Sequence, residues 1–498
     1  MRIGAKKIAM LKQHNNRSLP WFSIGIIGVF ILSVALRFWG LSRFNTLVFD
    51  EVYYAKFANN YLTGKHFFNA HPPLSQYIIA IGIWLGSHLP FGNDTVNGLT
   101  GSLRSTFSYR WLNALTGSFI PLVVAGIALE LTHRRSYAFV AALFAAADGL
   151  FLVESRYALN NIYLVILGLL GQWCLLLALS HQGGKRWARL AVAGVFFGAS
   201  AAIKWNGLWF LLGAYLVWAA AWVMRWIQGK RQETVGAIDE LPLQSSKLSE
   251  VPLQNLTQLN FLHVVLYLGI IPVLVYSLLW IPHLQMNPEY GFWEMQKEIL
   301  QYHERIKDGP QVHPYCSKWY TWPLMLRPLA YFYQTARNTA EPVPTFPPLP
   351  AGAGKVIYDV HAIGNPLLWW LSTAAILLLL LLLCQRLLAG VGWKSTPSPS
   401  TWIALYLVLN YAANLLPWVP VTRCVFLYHY MGSSVFAGLA LAWIVDRWLH
   451  SPQRAFRGVG VTAIFLILLA FVFWMPVYLG LPLDSEGYQV RMWLRSWI

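Results

Sequence analysis

The chain has 498 residues, 57% of them hydrophobic and only 11% charged, with 25 Trp, 24 Tyr and 27 Phe and a formal net charge of +17. A soluble domain carries roughly 25% charged residues, so the composition excludes a soluble globular protein and predicts an integral membrane protein. The positive charge does not indicate nucleic acid, because much of it sits in short loops between apolar runs, where it sets topology.

A membrane helix needs roughly 20 mainly apolar residues. Eleven spans are predicted, near 20–39, 111–132, 136–152, 158–180, 188–203, 206–226, 262–282, 365–387, 401–418, 425–448 and 456–478. Residues 1–17 are basic and lead into the first span without a small-residue cleavage site, which predicts a retained anchor. With this end in the cytoplasm, the turns at His133-Arg134-Arg135, Lys185-Arg186, Arg225 to Lys247, Arg386 to Lys394 and Arg447 to Arg457 also fall inside. All are basic, as the positive-inside rule requires. The outer face then receives two long loops, 40–110 and 283–364, and three short hinges, while the polar stretch 228–258 reads as a flexible cytoplasmic loop.

The first outer loop opens with Phe49-Asp50-Glu51-Val52-Tyr53-Tyr54 and continues to His71-Pro72-Pro73-Leu74. Carboxylates beside a membrane need partners, and the alternative is a solvated acidic turn. Amphipathic helices are predicted over 52–63 and 74–88, with the second following a proline pair suited to a first helical turn. Arg110 begins the second span. Each outer hinge carries one cation: Arg156 beside Glu154, Lys204 in Lys204-Trp205-Asn206-Gly207, and Arg423. Asp148 and His429 also lie near outer helix ends. Snorkelling at helix ends explains any one of them, but the set gathers on one face and suits a phosphate-bearing lipid. The cysteines are scattered, with Cys174, Cys384 and Cys424 in or beside spans and Cys316 in a loop. They show neither metal spacing nor a disulfide framework. There is no Walker A loop, Rossmann fingerprint, HExxH or GxSxG, which argues against a soluble nucleotide donor.

The ordered set Phe49-Asp50-Glu51-Val52, His71-Pro72-Pro73-Leu74, Ser155-Arg156-Tyr157, Lys204-Trp205-Asn206-Gly207-Leu208, Trp322-Pro323-Leu324 with Arg327-Pro328, Gly364-Asn365-Pro366 with Trp369-Trp370, and Tyr428-His429-Tyr430 resembles the protein O-mannosyltransferases. The matches run in family order from about residue 36 to the end. The resemblance implies an all-α polytopic membrane protein of GT-C architecture. It implies inverting transfer of mannose from a polyprenyl-phosphate-mannose donor to Ser or Thr hydroxyls of exported proteins, with the acidic motif as catalytic centre. Two departures stand out. Asn161 occupies a position where the family usually has Asp, and the second outer loop is too short for the β-rich insert of eukaryotic members, so the chain resembles a bacterial-type member. On this reading it is a multi-pass plasma-membrane protein with its site on the outer face.

A polyprenyl phosphate leaves without a general acid, unlike an alkoxide. One carboxylate then suffices as base for the acceptor hydroxyl. Asp50 is expected in that role and Glu51 as a positioning residue, and the two could exchange. Arg110, then Arg423, Arg156 and Lys204, are expected to bind the donor phosphate. Tyr53, Tyr54, His71, Asn206, Trp322, Arg327 and His429 are expected to line the sugar or peptide site. No cofactor is required, although Asp50 and Glu51 could hold a divalent metal. Two alternatives remain: a GT-C transferase that moves another sugar to a lipid or glycan acceptor, and a transporter of lipid-linked sugars. The crowding of polar groups on one face argues against the transporter.

Overall fold

The structure is a computed structural model that describes residues 19–89, 92, 95–235, 252–337, 355–388 and 398–498. Helices stand at all eleven predicted spans. In chain order the helices are α1 (Leu19–Phe38), α2 (Glu51–Thr63), α3 (Leu74–Gly86), α4 (Thr106–Thr132), α5 (Arg135–Ala146), α6 (Gly149–Arg156), α7 (Asn161–Leu179), α8 (Gly183–Ala201), α9 (Leu208–Val235) and α10 (Phe261–Met286). They continue with α11 (Phe292–Arg305), α12 (Pro366–Leu388), α13 (Pro399–Leu415), α14 (Met431–Leu449), α15 (Arg454–Leu479) and the short α16 (Ser485–Gln489). Seven of these are long and apolar enough to cross a membrane, or eight if the bent pair α5–α6 is one span. Helices α8, α13 and α14 are too short or too polar for that test, so eleven crossings exceed what length and composition support.

Two local features explain how the bundle closes. Pro272 has no N–H to offer the Leu268 carbonyl, and α10 widens into a π-helical turn over Val264–Ile270 just before it. The Tyr215 hydroxyl of α9 donates to that Leu268 carbonyl at 2.5 Å. Gly194 and Gly198 of α8 face the same segment. A Cβ on either would meet the carbonyl oxygen of Tyr267 at 2.1 Å or of Pro272 at 2.6 Å, so this crossing requires residues without side chains.

The 58° bend between α5 and α6 has a polar cause. The Asp148 carboxylate caps α6 by accepting from the N–H groups of Leu150 and Phe151 at 2.9 and 3.3 Å. Its other oxygen accepts from Trp369 Nε1 of α12 at 2.7 Å.

Over their described residues, the two long loops 40–110 and 283–364 carry regular structure. Helices α2 and α3 stand where the amphipathic pattern expects them. The first loop also holds a two-stranded ladder of β1 (Val96–Asn97) and β2 (Arg104–Ser105). The second holds α11 and, beyond an all-helical expectation, two strands of an antiparallel sheet in the order β3 (Leu329–Ala336), β4 (Val356–Ala362), β5 (Leu483–Asp484), the last strand coming from the C-terminal segment. Phe332 pairs with Val360 and Ile357 with Leu483. Every residue of β4 is buried. Of the stretch read as a cytoplasmic loop, 236–251 lies outside the described residues, while Pro252–Gln258 forms a 3-10 helix whose Asn255 donates to the Leu179 carbonyl at 3.1 Å. The Pro-rich stretch 342–350 also lies outside the described residues.

Candidate active site

Asp50 sits at the turn into α2, directly after Phe49, which takes the left-handed backbone conformation with φ of 51°. A bulky aromatic there is a strained choice. The ring is held by stacking on Tyr331 of β3, with centroids 4.3 Å apart and planes 6° from parallel. The sheet therefore fixes the turn that aims Asp50.

Asp50 opens onto a cavity of about 380 Å³. Its walls come from four distant stretches of chain. The first outer loop supplies Asp50, Tyr53, Tyr54 and His71, and the hinge before α9 supplies Lys204. The second outer loop supplies Tyr302, His303 and His313, and the segment before α14 supplies Arg423, Phe426, Tyr428 and His429. Burial pushes the Asp50 carboxyl up from 3.8 to about 6, against the pull of the Lys204 ammonium and a hydrogen bond from Tyr54. Burial likewise lowers Lys204 to about 8, opposed by Asp50 and Glu154 and aided by Arg423. His71 lies well below its ordinary value, from burial and then from the cations Lys204 and Arg423 and its neighbour His303. The His71 and His303 rings lie 5.2 Å apart, and burial lowers His303 to about 4.

Lys204 is held from behind. Its Nζ donates to Asn161 Oδ1 at 2.9 Å, and the Asn161 amide donates to both oxygens of the buried Glu154 at 3.1 and 3.2 Å. The Tyr331 hydroxyl donates to the same carboxylate. Tyr428 presents its ring face to the ammonium at 5.1 Å. His429 fixes its Nδ1 on the Phe426 backbone, 3.2 Å from the nitrogen and 3.0 Å from the oxygen.

Several expected residues lie elsewhere. Glu51 points away from the cavity into a buried ion pair with Arg110. The guanidinium donates through Nε to Oε1 at 2.9 Å and through Nη2 to Oε2 at 2.8 Å. The other Arg110 donors meet the carbonyls of Leu41, Phe44 and Thr46. Glu51 also accepts from the N–H groups of Val48 and Ala158, both at 2.8 Å. With all five guanidinium N–H groups taken by protein, Arg110 has none to offer a phosphate. Arg156 is also buried, and donates to the carbonyls of Leu36, Arg37, Trp39 and Gly40 at the end of α1. Arg327 fastens the second outer loop by donating to the Pro314 and Ser496 carbonyls. Trp322 is fully buried behind His429, stacked at 6.0 Å, and Asn206 sits in the 3-10 turn Trp205–Gly207; neither lines the cavity.

The structure corrects the reading of the cysteines. Cys316 and Cys424 form a disulfide. It joins the second outer loop to the residue that follows Arg423. Backbone bonds reinforce the join: Ser317 N donates to the Val425 carbonyl at 2.8 Å and Cys424 N to the Lys307 carbonyl at 3.1 Å. Spacing along the chain could not reveal this pair, although the topology expected from the sequence puts both cysteines on one face. Glu154, Asn161 and Tyr331 lie outside the expected site residues; the charge of Glu154 in a hinge and the departure at Asn161 are the sequence signals that point to them. Among the described residues, no three His, Cys, Asp or Glu side chains gather as a metal-binding set.

This arrangement places a half-buried carboxylate across from fixed cations inside an aromatic-walled cleft, which suits proton abstraction beside a developing anionic charge. Comparison with known proteins agrees with the motif order. A family model described as dolichyl-phosphate-mannose-protein mannosyltransferase matches residues 27–286, and one for the C-terminal four-transmembrane region of protein O-mannosyltransferase matches 288–497. The chain is 24% identical over 546 residues to a polyprenol-phosphate-mannose–protein mannosyltransferase of Mycolicibacterium smegmatis, covering 97% of this chain and 94% of that one. A protein of the same name from Corynebacterium glutamicum is 25% identical over 552 residues, covering 96% and 94%. In fold, the chain resembles a chain of the S. cerevisiae protein O-mannosyltransferase Pmt1–Pmt2 complex bound to the sugar donor, with a TM-score of 0.75, 14% identity, and coverage of 96% and 92%. With family models matched along nearly its whole length, the chain belongs to the protein O-mannosyltransferase family.

Proposed function

We propose that this protein transfers mannose from a polyprenyl-phosphate carrier to Ser or Thr hydroxyls of exported proteins, with inversion at the anomeric carbon. The observation that carries the reading is the half-buried Asp50 facing a cavity that also holds Lys204 and Arg423.

Asp50 accepts the proton of the acceptor hydroxyl as its oxygen attacks the anomeric carbon. The bond to the phosphate oxygen breaks on the opposite side, so configuration inverts. The phosphate leaves already ionised, and Lys204 and Arg423 stabilise its growing charge. Arg110 and Arg156 serve instead as internal clamps, Arg110 on the loop that carries Asp50 and Arg156 on the end of α1. Glu51 belongs to that frame. Tyr53, Tyr54, His71 and His429 line the path of sugar and acceptor.

The Cys316–Cys424 disulfide beside the cavity supports an outer-face site in a plasma membrane, since such bonds persist in oxidising compartments. The test is transfer of labelled mannose from polyprenyl-phosphate-mannose to a Ser/Thr-rich peptide in membranes that contain this protein. Label in peptide, lost about 10²–10⁴-fold in Asp50→Asn, is expected. Label only in lipid would replace protein by a lipid acceptor, and normal transfer by Asp50→Asn would remove Asp50 from the mechanism.

A further inference from the structure

At the membrane face opposite Asp50, α4 and α14 end beside two adjoining cavities of about 430 and 510 Å³ that share Ser400, Trp443 and Arg447. Opposite ends of these helices serve the two faces: Arg110 near the start of α4 holds the Asp50 loop, and Thr132 at its end lines the second cavity. One part of this hollow is apolar. Leu378 and Leu382 of α12 line it and are each 44% exposed along the outside of the bundle. The other part is cationic. Arg386 and Arg447 line the first cavity, and His133, Arg134 and His450 the second.

Among the described residues, no carboxylate lines either cavity. Asp446 of α14 is buried behind the wall, where it forms an ion pair with Arg134 at 2.9 Å and accepts from Ser136 at 2.6 Å. Arg134 is therefore neutralised and anchored. Arg386 and Arg447 are not: among the described residues they meet only hydroxyls, Arg386 those of Ser398 and Thr401, and Arg447 that of Ser400 at 3.2 Å. Trp443 lies under the Arg447 guanidinium at 5.3 Å and orients it toward the hollow. Two uncompensated guanidinium groups at the mouth of a leucine-lined slot match an amphiphile with an anionic phosphate head and a hydrocarbon tail. A zwitterionic lipid would bring an ammonium group to the same cations.

We propose that this hollow is a binding site for an anionic phospholipid of the inner leaflet, separate from the transfer site and independent of its chemistry. The test uses the full chain in mild detergent, with phosphatidylglycerol and phosphatidylcholine as probes and retained lipid read by native mass spectrometry. Wild type is expected to retain phosphatidylglycerol over phosphatidylcholine. The double variant Arg386→Gln, Arg447→Gln should lose that preference by roughly tenfold or more, with mannose transfer retained as the check on folding. Leu382→Trp fills the apolar half without touching charge and should also reduce retention. Equal retention of both lipids by wild type, or unchanged phosphatidylglycerol in both variants, overturns the site. Displacement of phosphatidylglycerol by polyprenyl phosphate at equal concentration overturns the phospholipid as its occupant.

Discussion

Glu51 and Arg110 form a two-pronged ion pair in which neither side chain has any exposed surface. Removing one partner of such a pair leaves an uncompensated buried charge, at about 3–5 kcal/mol. Glu51→Gln and Arg110→Met are therefore expected to lower the thermal midpoint markedly. Asp50→Asn, one residue away, should leave the midpoint near wild type and lower the transfer rate instead. Measuring melting and rate on all three variants separates frame from chemistry; a stable, catalytically dead Glu51→Gln would exchange the roles.

The rate should depend on pH with two limbs. Asp50, raised to about 6, must be ionised to act as base, and Lys204, lowered to about 8, must stay protonated to hold the phosphate. Transfer should rise as pH passes about 6 and fall beyond about 8. Stability moves oppositely. Asp50 keeps its proton more tightly folded than unfolded, so its contribution falls as pH rises from its ordinary 3.8 to about 6. Lys204 gives up its proton more easily when folded, so its contribution increases from about 8 towards 10.5. A loss of activity above pH 8 without loss of thermal stability is the expected signature.

Asn161 is neutral where it joins Lys204 to Glu154. Asn161→Asp adds a negative charge beside the ammonium and should move the alkaline limb upward while transfer persists at neutral pH. An unchanged alkaline limb would mean that the limb belongs to a group other than Lys204.

Arg423→Gln should raise the KM for the lipid donor and slow transfer by roughly 10²–10³-fold, the usual effect of removing one charge-stabilising donor. The KM for the peptide should change little. If only the peptide term moves, Arg423 belongs to the acceptor path.

Replacing Cys316 and Cys424 by Ser removes a link between residues 108 positions apart. A stability loss of about 2–5 kcal/mol is expected. Donor KM should rise with it, because Cys424 follows Arg423 directly. Thiol labelling of the unreduced native protein should report only Cys174 and Cys384, which are unpaired.

Much of the site was legible as charge in unusual places. Asp50, Lys204 and Arg423 stood out as ionic groups where an outer hinge or turn gave no topological reason for them. What sequence could not show was direction. Successive helical residues point about 100° apart, so adjacent Asp50 and Glu51 face a cavity and a protein interior respectively. The planar fork of Arg110 does grip an anionic group, but it is the Glu51 carboxylate supplied by the protein. The membrane helices were legible because lipid imposes length and apolarity. The sheet was not, since β4 is a wholly buried strand without alternation to mark it. The disulfide partners lie too far apart in the chain for spacing to join them.

Because the cavity takes walls from around residues 50, 204, 303 and 428, it does not exist until the segment before α14 has been made and docked. During synthesis the acidic turn emerges early, but its opposing walls are still missing. On the proposed mechanism, a chain stopped after α10 would carry Asp50 and Lys204 without Arg423 or His429, and a half-built protein left in the membrane would not discharge the carrier. On that reading, completion of the chain is itself the step that switches the protein on.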